Sequence, residues 1–152
     1  MLNTVASLLK EKEKSKLVIV PPSASVADAV RAMNEESVGA VLVMDGEKLV
    51  GIFTERDVMG RIVGAQRDPV TTLVSEVMTV GVRTIEPTST AEEALRLMSD
   101  RRHRHLPVVE DRKVLGLVSI GDVTRRYIQS QQEQIDGALR AVRQMGLSNR
   151  RG

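Results

Sequence analysis

The sequence has no cysteine, no tryptophan, one tyrosine and one phenylalanine in 152 residues. Without cysteine there is no disulfide, no thiol nucleophile and no thiolate zinc site, which is typical of a reducing compartment. The scarcity of aromatic side chains disfavours binding of single-stranded nucleic acid by base stacking. No run approaches the roughly 20 apolar residues of a membrane span, and residues 1–16 lack the apolar core of a secretory signal. We therefore predict a cytoplasmic protein with an aliphatic core and no membrane partner.

Charge of either sign is not in large excess. The chain has 22 Lys and Arg against 20 Asp and Glu, a formal net charge of +2, which does not indicate nucleic-acid binding. Hydrophobic residues make up 41% and charged residues 28% of the chain, as in ordinary globular domains. The length fits one compact domain or two small halves that share a core.

The chain contains an internal repeat. When it is shifted by 65 positions, residues 22–63 align with residues 87–128 without a gap. Each half is about 60 residues long and would be marginal alone, so we expect the halves to pack on each other about a pseudo-twofold axis. The identical pairs are Pro22 with Pro87, Ala29 with Ala94, Arg31 with Arg96, Met33 with Met98, Val43 with Val108, Lys48 with Lys113, Gly51 with Gly116, Asp57 with Asp122, Val58 with Val123 and Arg61 with Arg126.

Both halves show the same order of patterns, β-α-β-β-α, which predicts an α/β fold. Capping-box patterns at Ser25 and Thr90 mark the first helix of each half, and second helices are expected to start near Thr54 and Ser119. Strands are predicted at residues 17–20, 40–44 and 48–53, and again at 82–85, 106–109 and 113–118. The predicted organisation is an N-terminal helix and turn (1–16), a first repeat (17–63), a linker with a short helix at residues 73–78 capped by Thr71 or Thr72 (64–80), a second repeat (81–128), and a longer C-terminal helix with a frayed end (129–152).

The segment Gly51-x-x-Thr54-x-x-Asp57 and its copy at residues 116–122 lie where a strand gives way to a helix. One interpretation is purely structural, since Thr or Ser caps a helix well and Asp in the first turn suits the helix dipole. The other adds a ligand, because a helix N-terminus and a hydroxyl suit a phosphate while the Asp can accept both hydroxyls of a ribose. Together these groups match an adenosine phosphate.

With this motif present twice, the chain resembles a cystathionine-β-synthase (CBS) domain pair, or Bateman module, over residues 17–128. It is similar to small stand-alone CBS-pair proteins of bacteria and organelles. The resemblance implies that Asp57 or Asp122 binds the ribose and that Thr54 or Ser119 lies near the phosphate. It also implies that the base is held by the first strand and the start of the second, which are Val18, Val20, Gly39 and Ala40 in the first half and Val82, Thr84, Arg104, His105, Leu106 and Pro107 in the second.

The two halves differ in charge around this expected site. Residues 101–105 are Arg-Arg-His-Arg-His, whereas residues 36–40 of the first half carry no cation. Because phosphate is anionic, we predict that the better nucleotide site uses Ser119 and Asp122, with Arg56 reaching across the pseudo-twofold axis. The alternative is that the basic run is only a solvated face.

A metal site is not predicted. His103 and His105 could share one face of a strand, but two histidines without a third ligand make a weak site. We expect no metal cofactor.

The function that these features predict is a regulatory module that binds an adenine nucleotide and is not an enzyme. AMP is the leading ligand, and ADP, ATP, NAD(H) and S-adenosylmethionine are alternatives that the family resemblance also implies. The resemblance further implies a homodimer, and a regulated partner protein is open. Two other classes remain: a ligand-free protein-interaction module with the motifs kept as helix caps, and a hydrolase or synthase, for which no catalytic set can be assigned.

Overall fold

The computed structural model describes residues 3–12, 17–101 and 103–148. The frayed end predicted for residues 148–152 and the turn predicted before residue 17 lie largely outside these ranges. Among the described residues, no helix is both long and apolar enough to cross a membrane.

The elements confirm the predicted repeat and the α/β class. Strands and helices recur with the 65-residue spacing, because the same apolar pattern is present in each half. In chain order they are α1 (Val5–Glu11), β1 (Ile19–Val20), α2 (Val26–Glu36), β2 (Ala40–Asp45), β3 (Lys48–Thr54), α3 (Glu55–Asp57) continued by a π-helical segment (Val58–Val63), α4 (Val74–Val77), α5 (Ala91–Arg101), β4 (His105–Glu110), β5 (Lys113–Ser119) and α6 (Ile120–Ser148).

The strand predicted at residues 82–85 is wrong. In the first repeat, β1 pairs in parallel with β2, and β2 pairs with β3 in an antiparallel hairpin. In the second repeat, β4 and β5 form the equivalent hairpin, but only Ile85 bridges to Val108. Arg83 and Thr84 are exposed and Gly81 adopts a φ of +64°, so this segment has no continuous face to pair with β4.

The short linker helix also differs from its prediction. It is α4, which is N-capped at Leu73 rather than at Thr71 or Thr72. The Glu76 carboxylate accepts a 2.7 Å hydrogen bond from the Leu73 N–H, a backward contact that satisfies one of the free donors of a helix start.

The helix that precedes each repeat packs on the other repeat, and we call α1 and α4 the exchanged helices. Val5 and Leu8 of α1 are buried in the core of the second repeat, and the Val5 N–H donates to the Ser89 carbonyl at 2.8 Å. Correspondingly, Val74 of α4 is buried in the core of the first repeat and its N–H donates to the Ala24 carbonyl at 2.8 Å. The core of each repeat is therefore covered by the helix that precedes the other repeat in the sequence.

The motif glycines make room for the exchanged helices. A Cβ at Gly51 would lie 2.5 Å from the Met78 sulfur, which follows α4, and a Cβ at Gly116 would lie 2.8 Å from a methyl carbon of Leu9 in α1. Both separations are too short for any other residue without a shift of the neighbour.

A third group of apolar residues joins the repeats. Ala40, Leu42 and Ile52 of the first repeat are buried against Val82 and Leu117 of the second. This smaller cluster lies between the separate cores of the two repeats and joins them, as expected for halves too small to be stable alone. We call the two packed repeats with α1 and α4 the body of the molecule. The chain continues beyond the body in α6, a single 29-residue helix that runs through the boundary predicted at residue 128.

Candidate functional site

The two motifs are built as matching helix starts. The Thr54 N–H donates to Asp57 Oδ2 at 3.0 Å, and the Asp57 N–H donates to Thr54 Oγ1 at 3.3 Å. The Ser119 N–H donates to Asp122 Oδ2 at 2.9 Å, and the Asp122 N–H donates to Ser119 Oγ at 3.2 Å. Both are capping boxes, so each Asp already has a structural role before any ligand is considered.

A first cleft lies between the repeats and has a volume of about 630 Å³, within the usual range of small-molecule sites. Ser119 and Asp122 form one wall, and the opposite wall comes from Val18, Gly39 and Ala40 of the first repeat. The residues that contribute from elsewhere include Leu9 and Lys12 of the N-terminal segment, Glu55, Arg104, His105 and Leu117.

The Asp122 carboxylate in this first cleft is already occupied. Besides the Ser119 N–H, Asp122 Oδ2 accepts from Lys12 Nζ at 2.6 Å, and Oδ1 accepts from Arg125 at 2.9 Å. Burial alone would raise the pKa of Asp122, but the hydrogen bonds from Lys12 and Ser119 outweigh it and hold this pKa below its ordinary value. A ligand that uses this carboxylate must compete with two cations.

The second cleft has a volume of about 530 Å³ and contains the other motif. Thr54, Arg56 and Asp57 form its first-repeat side, and His103, Arg104 and His105 form its second-repeat side. Asp57 Oδ2 accepts from Thr54, while the nearest cation recorded at Oδ1 is Arg61 Nε, at 3.7 Å. That ion pair is too long for a good hydrogen bond, so this oxygen keeps capacity for another donor.

Three residues line both clefts: Glu55, Arg104 and His105. Backbone hydrogen bonds hold two of them within their own repeats: the Glu55 N–H donates to the Gly39 carbonyl at 3.0 Å, and the Ile120 N–H donates to the Arg104 carbonyl at 2.8 Å. Burial lowers the pKa of His105 below 6.5 and Lys12 lowers it further, although Glu55 and Asp122 oppose them. The lowered pKa favours the neutral imidazole, which has one donor and one acceptor nitrogen.

The family model of the CBS domain matches residues 9–64 and residues 74–129. The chain is a CBS-domain protein. Its two matched ranges begin within or at the exchanged helices, and residues 130–148 of α6 lie beyond them.

Other CBS-domain proteins resemble it along most of their length. The mitochondrial CBS domain-containing protein CBSX3 of Arabidopsis thaliana is 36% identical over 140 residues, which are 87% of this chain and 68% of that protein. A putative signal-transduction protein with CBS domains from Burkholderia ambifaria has a TM-score of 0.79 at 40% identity, covering 84% of this chain and 96% of the other. CBSX2, solved in complex with AMP, has a TM-score of 0.67 at 27% identity, covering 84% and 98%.

The predicted site residues are divided between the clefts of this CBS pair in a way that the sequence did not indicate. Val18, Gly39 and Ala40 were assigned to the first-repeat motif, but they face Ser119 and Asp122. Strand starts therefore line a cleft together with the motif of the other repeat, because the clefts run between the repeats.

The prediction for Arg56 is also corrected. This side chain lines the cleft of Thr54 and Asp57, not that of Ser119 and Asp122. It lies between Glu55 and Asp57 in the three-residue helix α3. It does share that cleft with Arg104, so the expected pair of arginines is brought together at the other motif.

Several predicted base-binding residues line neither cleft. Their side chains belong to the packed interior or to the outer surface instead: Val20 and Leu106 lie in the cores of the first and second repeats, Pro107 is buried, Val82 packs between the repeats, and Thr84 is exposed.

Sequence reasoning missed Lys12 and Glu55 as site residues. Lys12 belongs to a run of charged residues before the first repeat, which resembles an exposed turn, and only the exchange of α1 brings it to the second-repeat motif. Glu55 stands in a variable position of the motif. Among the described residues, no group of three or more His, Asp or Glu is placed to hold a metal ion.

Proposed function

We propose that this CBS-domain protein is a regulatory module that binds an adenine nucleotide of the AMP type in the second cleft. The observation that carries the proposal is the convergence of Asp57, Arg56 and Arg104 in a cleft of about 530 Å³. The similarity to CBSX2, which was solved with AMP, supports the same class of ligand.

Each group of the nucleotide has a partner of suitable chemistry in this cleft. Asp57 Oδ1 accepts from the ribose hydroxyls, a charge-assisted hydrogen bond that is stronger than a neutral one. Arg56 and Arg104 bind the phosphate from opposite sides of the cleft, each able to donate two parallel hydrogen bonds. Ile52 and Met59, which line the same cleft, offer apolar surface to the base.

The first cleft is the weaker candidate in spite of its larger volume. Its carboxylate, Asp122, holds Lys12 at 2.6 Å and Arg125 at 2.9 Å. With the Ser119 N–H, three of the roughly four acceptor positions of this carboxylate are taken, so a ribose that donates two hydrogen bonds there displaces one existing partner, and that loss offsets part of the gain. Asp57 requires no such displacement.

The regulatory mechanism follows from where the second cleft lies. Thr54, Arg56 and Asp57 belong to one repeat, and His103, Arg104 and His105 belong to the other. A ligand that contacts both repeats favours the arrangement of the repeats in which both sides of the cleft can bind it. It shifts the equilibrium between this and other arrangements of the repeats by the difference in its affinity for them. In this proposal the module acts without catalysis, as a homodimer or through a regulated partner, and the cytoplasmic location stays a prediction.

Calorimetric titration with AMP tests the site. We expect Asp57→Ala to weaken AMP at least tenfold, which corresponds to about 1.4 kcal/mol, and the matched variant Asp122→Ala to weaken it much less. A greater loss in Asp122→Ala would move the site to the first cleft. AMP should also bind more tightly than 2′-deoxy-AMP if a carboxylate binds the ribose.

The phosphate contacts are tested separately with adenosine, which has no phosphate. We expect Arg56→Ala and Arg104→Ala each to weaken AMP and to leave adenosine nearly unchanged. Equal weakening of both ligands would assign the arginines to the base. If no adenine compound raised the melting temperature of the folded protein, the ligand-free interaction module would replace the proposal.

A further inference from the structure

The part of α6 beyond the CBS repeats is a helix whose apolar face is not covered by any residue that the structure describes. Every residue from 131 to 147 is exposed. Four large apolar side chains recur there at helical spacing, and each is more than half exposed: Ile135 at 53%, Leu139 at 53%, Val142 at 64% and Met145 at 65%. Ile128, 60% exposed, continues the series towards the body.

These side chains form one narrow stripe. At 100° per residue, Ile128, Ile135, Leu139 and Val142 fall within an arc of about 60°, with Ala138 and Met145 at one margin. Ile135 and Val142 are seven residues apart with Leu139 between them. In the heptad notation of a coiled coil, Ile135 and Val142 then occupy d positions and Leu139 an a position. We call Ile128, Ile135, Leu139 and Val142 the α6 stripe.

Charges flank the α6 stripe on one side only. Asp136 and Arg143 each follow a stripe residue and occupy the e positions of the pattern. The other flank, the g positions, carries Ala138 and Met145. Along the helix, the acidic residue Asp136 precedes the basic residue Arg143.

This asymmetry distinguishes the two ways in which two copies of α6 can pair. In a parallel pair each e position meets a g position of the other helix, so Arg143 would face Ala138 and no opposite charges would meet. In an antiparallel pair like flanks meet. Asp136 of each helix then faces Arg143 of the other, and Ala138 and Met145 meet on the apolar side.

We propose that the occupant of the α6 stripe is the α6 stripe of a second copy of this chain, in antiparallel orientation. With Leu139 of one copy against Val142 of the other, Ile135 lies opposite Gly146, whose lack of a side chain leaves room for it. At 1.5 Å per residue the two CBS bodies are then roughly 35 Å apart along the pair, so they do not collide. The residues paired in this register, 135–146, lie beyond those matched by the family model.

Light scattering on the full chain tests the surface. We expect Leu139→Lys to shift the mass towards the monomer at concentrations where the wild type is associated, and Leu147→Lys to leave it unchanged. Leu147 is a matched control because it is 65% exposed and lies off the stripe. Equal masses for wild type and Leu139→Lys would overturn the proposal and place any association on the CBS bodies.

Charge reversal tests the flank. Asp136→Arg and Arg143→Asp should each weaken association several-fold, and the double variant should restore it. If the double variant were as weak as the sum of the single variants, the e-position pairing would be wrong.

Introduced cysteines test the orientation, and the native chain has no cysteine to interfere. In the antiparallel pair, Ile135→Cys is about 16 Å along the axis from its own copy, beyond the 4.4–6.8 Å that a disulfide spans between Cα atoms. We expect disulfide dimers only when Ile135→Cys is mixed with Gly146→Cys. Dimers of either variant alone would show a parallel pair and refute the orientation.

Discussion

Replacement of Lys12 by methionine should measure how strongly the N-terminal segment is held to the second repeat. Lys12 Nζ donates to Asp122 Oδ2 at 2.6 Å and to the Leu117 carbonyl at 3.1 Å. Methionine keeps much of the apolar stem and removes the ammonium group. The Lys12 side chain is 29% exposed and that of Asp122 10%, so the pair is neither fully solvated nor fully buried.

The magnitude follows from these two exposures. Hydrogen bonds to charged groups contribute about 1.5–3 kcal/mol, whereas exposed ion pairs contribute about 0.2–1 kcal/mol. Asp122 also keeps the Ser119 N–H and Arg125 after the change. We expect Lys12→Met to lower the free energy of unfolding by about 1–2 kcal/mol, or the Tm by about 3–6 °C for a chain of this length.

The pH dependence provides a second observable. The pKa of Asp122 is held below its ordinary 3.8 in the folded protein, so the pair stabilises the fold above that pH and its contribution is lost as the pH falls through the folded pKa. The difference between wild type and Lys12→Met should therefore be full at pH 7 and shrink below about pH 3.8.

Urea unfolding of four proteins completes the test: wild type, Lys12→Met, Asp122→Asn and the double variant. A coupling energy well above zero is expected for residues in direct contact. Lys10→Met, an exposed change in the last turn of α1 and two residues before Lys12, is the control for loss of a charge. Strict additivity of the two variants, or an equal effect of Lys10→Met, would refute the inference from the 2.6 Å contact.

Other changes test the packing and the titration of the body. Gly51→Ala should lower the Tm by several degrees, because its Cβ would meet the Met78 sulfur at 2.5 Å. Gly137→Ala, whose Cβ meets nothing within 4 Å, should instead stabilise its helix by about 0.5–1 kcal/mol. A greater loss of stability in Gly137→Ala than in Gly51→Ala would contradict the role of the motif glycine. The pKa of His105 is lowered from 6.5 in the fold, so the unfolded chain binds the proton more readily and stability should fall as the pH drops below about 6.5. In His105→Gln this part of the pH dependence of urea unfolding should be reduced, and an unchanged slope would exclude the imidazole as its source.

The repeat, its helices and its hairpins could be predicted because their signals are local. An apolar alternation, a capping box and a turn are fixed by neighbouring residues, and each occurs twice at the same spacing. The prediction of a strand at residues 82–85 was wrong because its signal is not local: a short apolar segment becomes a strand only where the edge of another strand pairs with it. Ile85 alone has that partner.

The composition of the clefts could not be predicted from spacing. The alignment by 65 positions assigned Gly39 and Ala40 to the motif of their own repeat, but three-dimensional packing places them opposite Asp122. Both helices were predicted, but their exchange was not, because Val5 of α1 and Val74 of α4 are 69 rather than 65 positions apart. The offset of 69 positions between these two short apolar helices is the sequence signal that relates them and points to the exchange.

The exchanged helices also bear on how such a chain can be divided. A fragment that ends before α4 would keep the first repeat but lack the helix that covers its core, and its own α1 would have no second repeat to bind. Such a half could complete itself only by borrowing helices from another molecule, which is domain swapping. Duplication of an ancestral half with this exchange would therefore have turned a reciprocal contact between two chains into a contact within one.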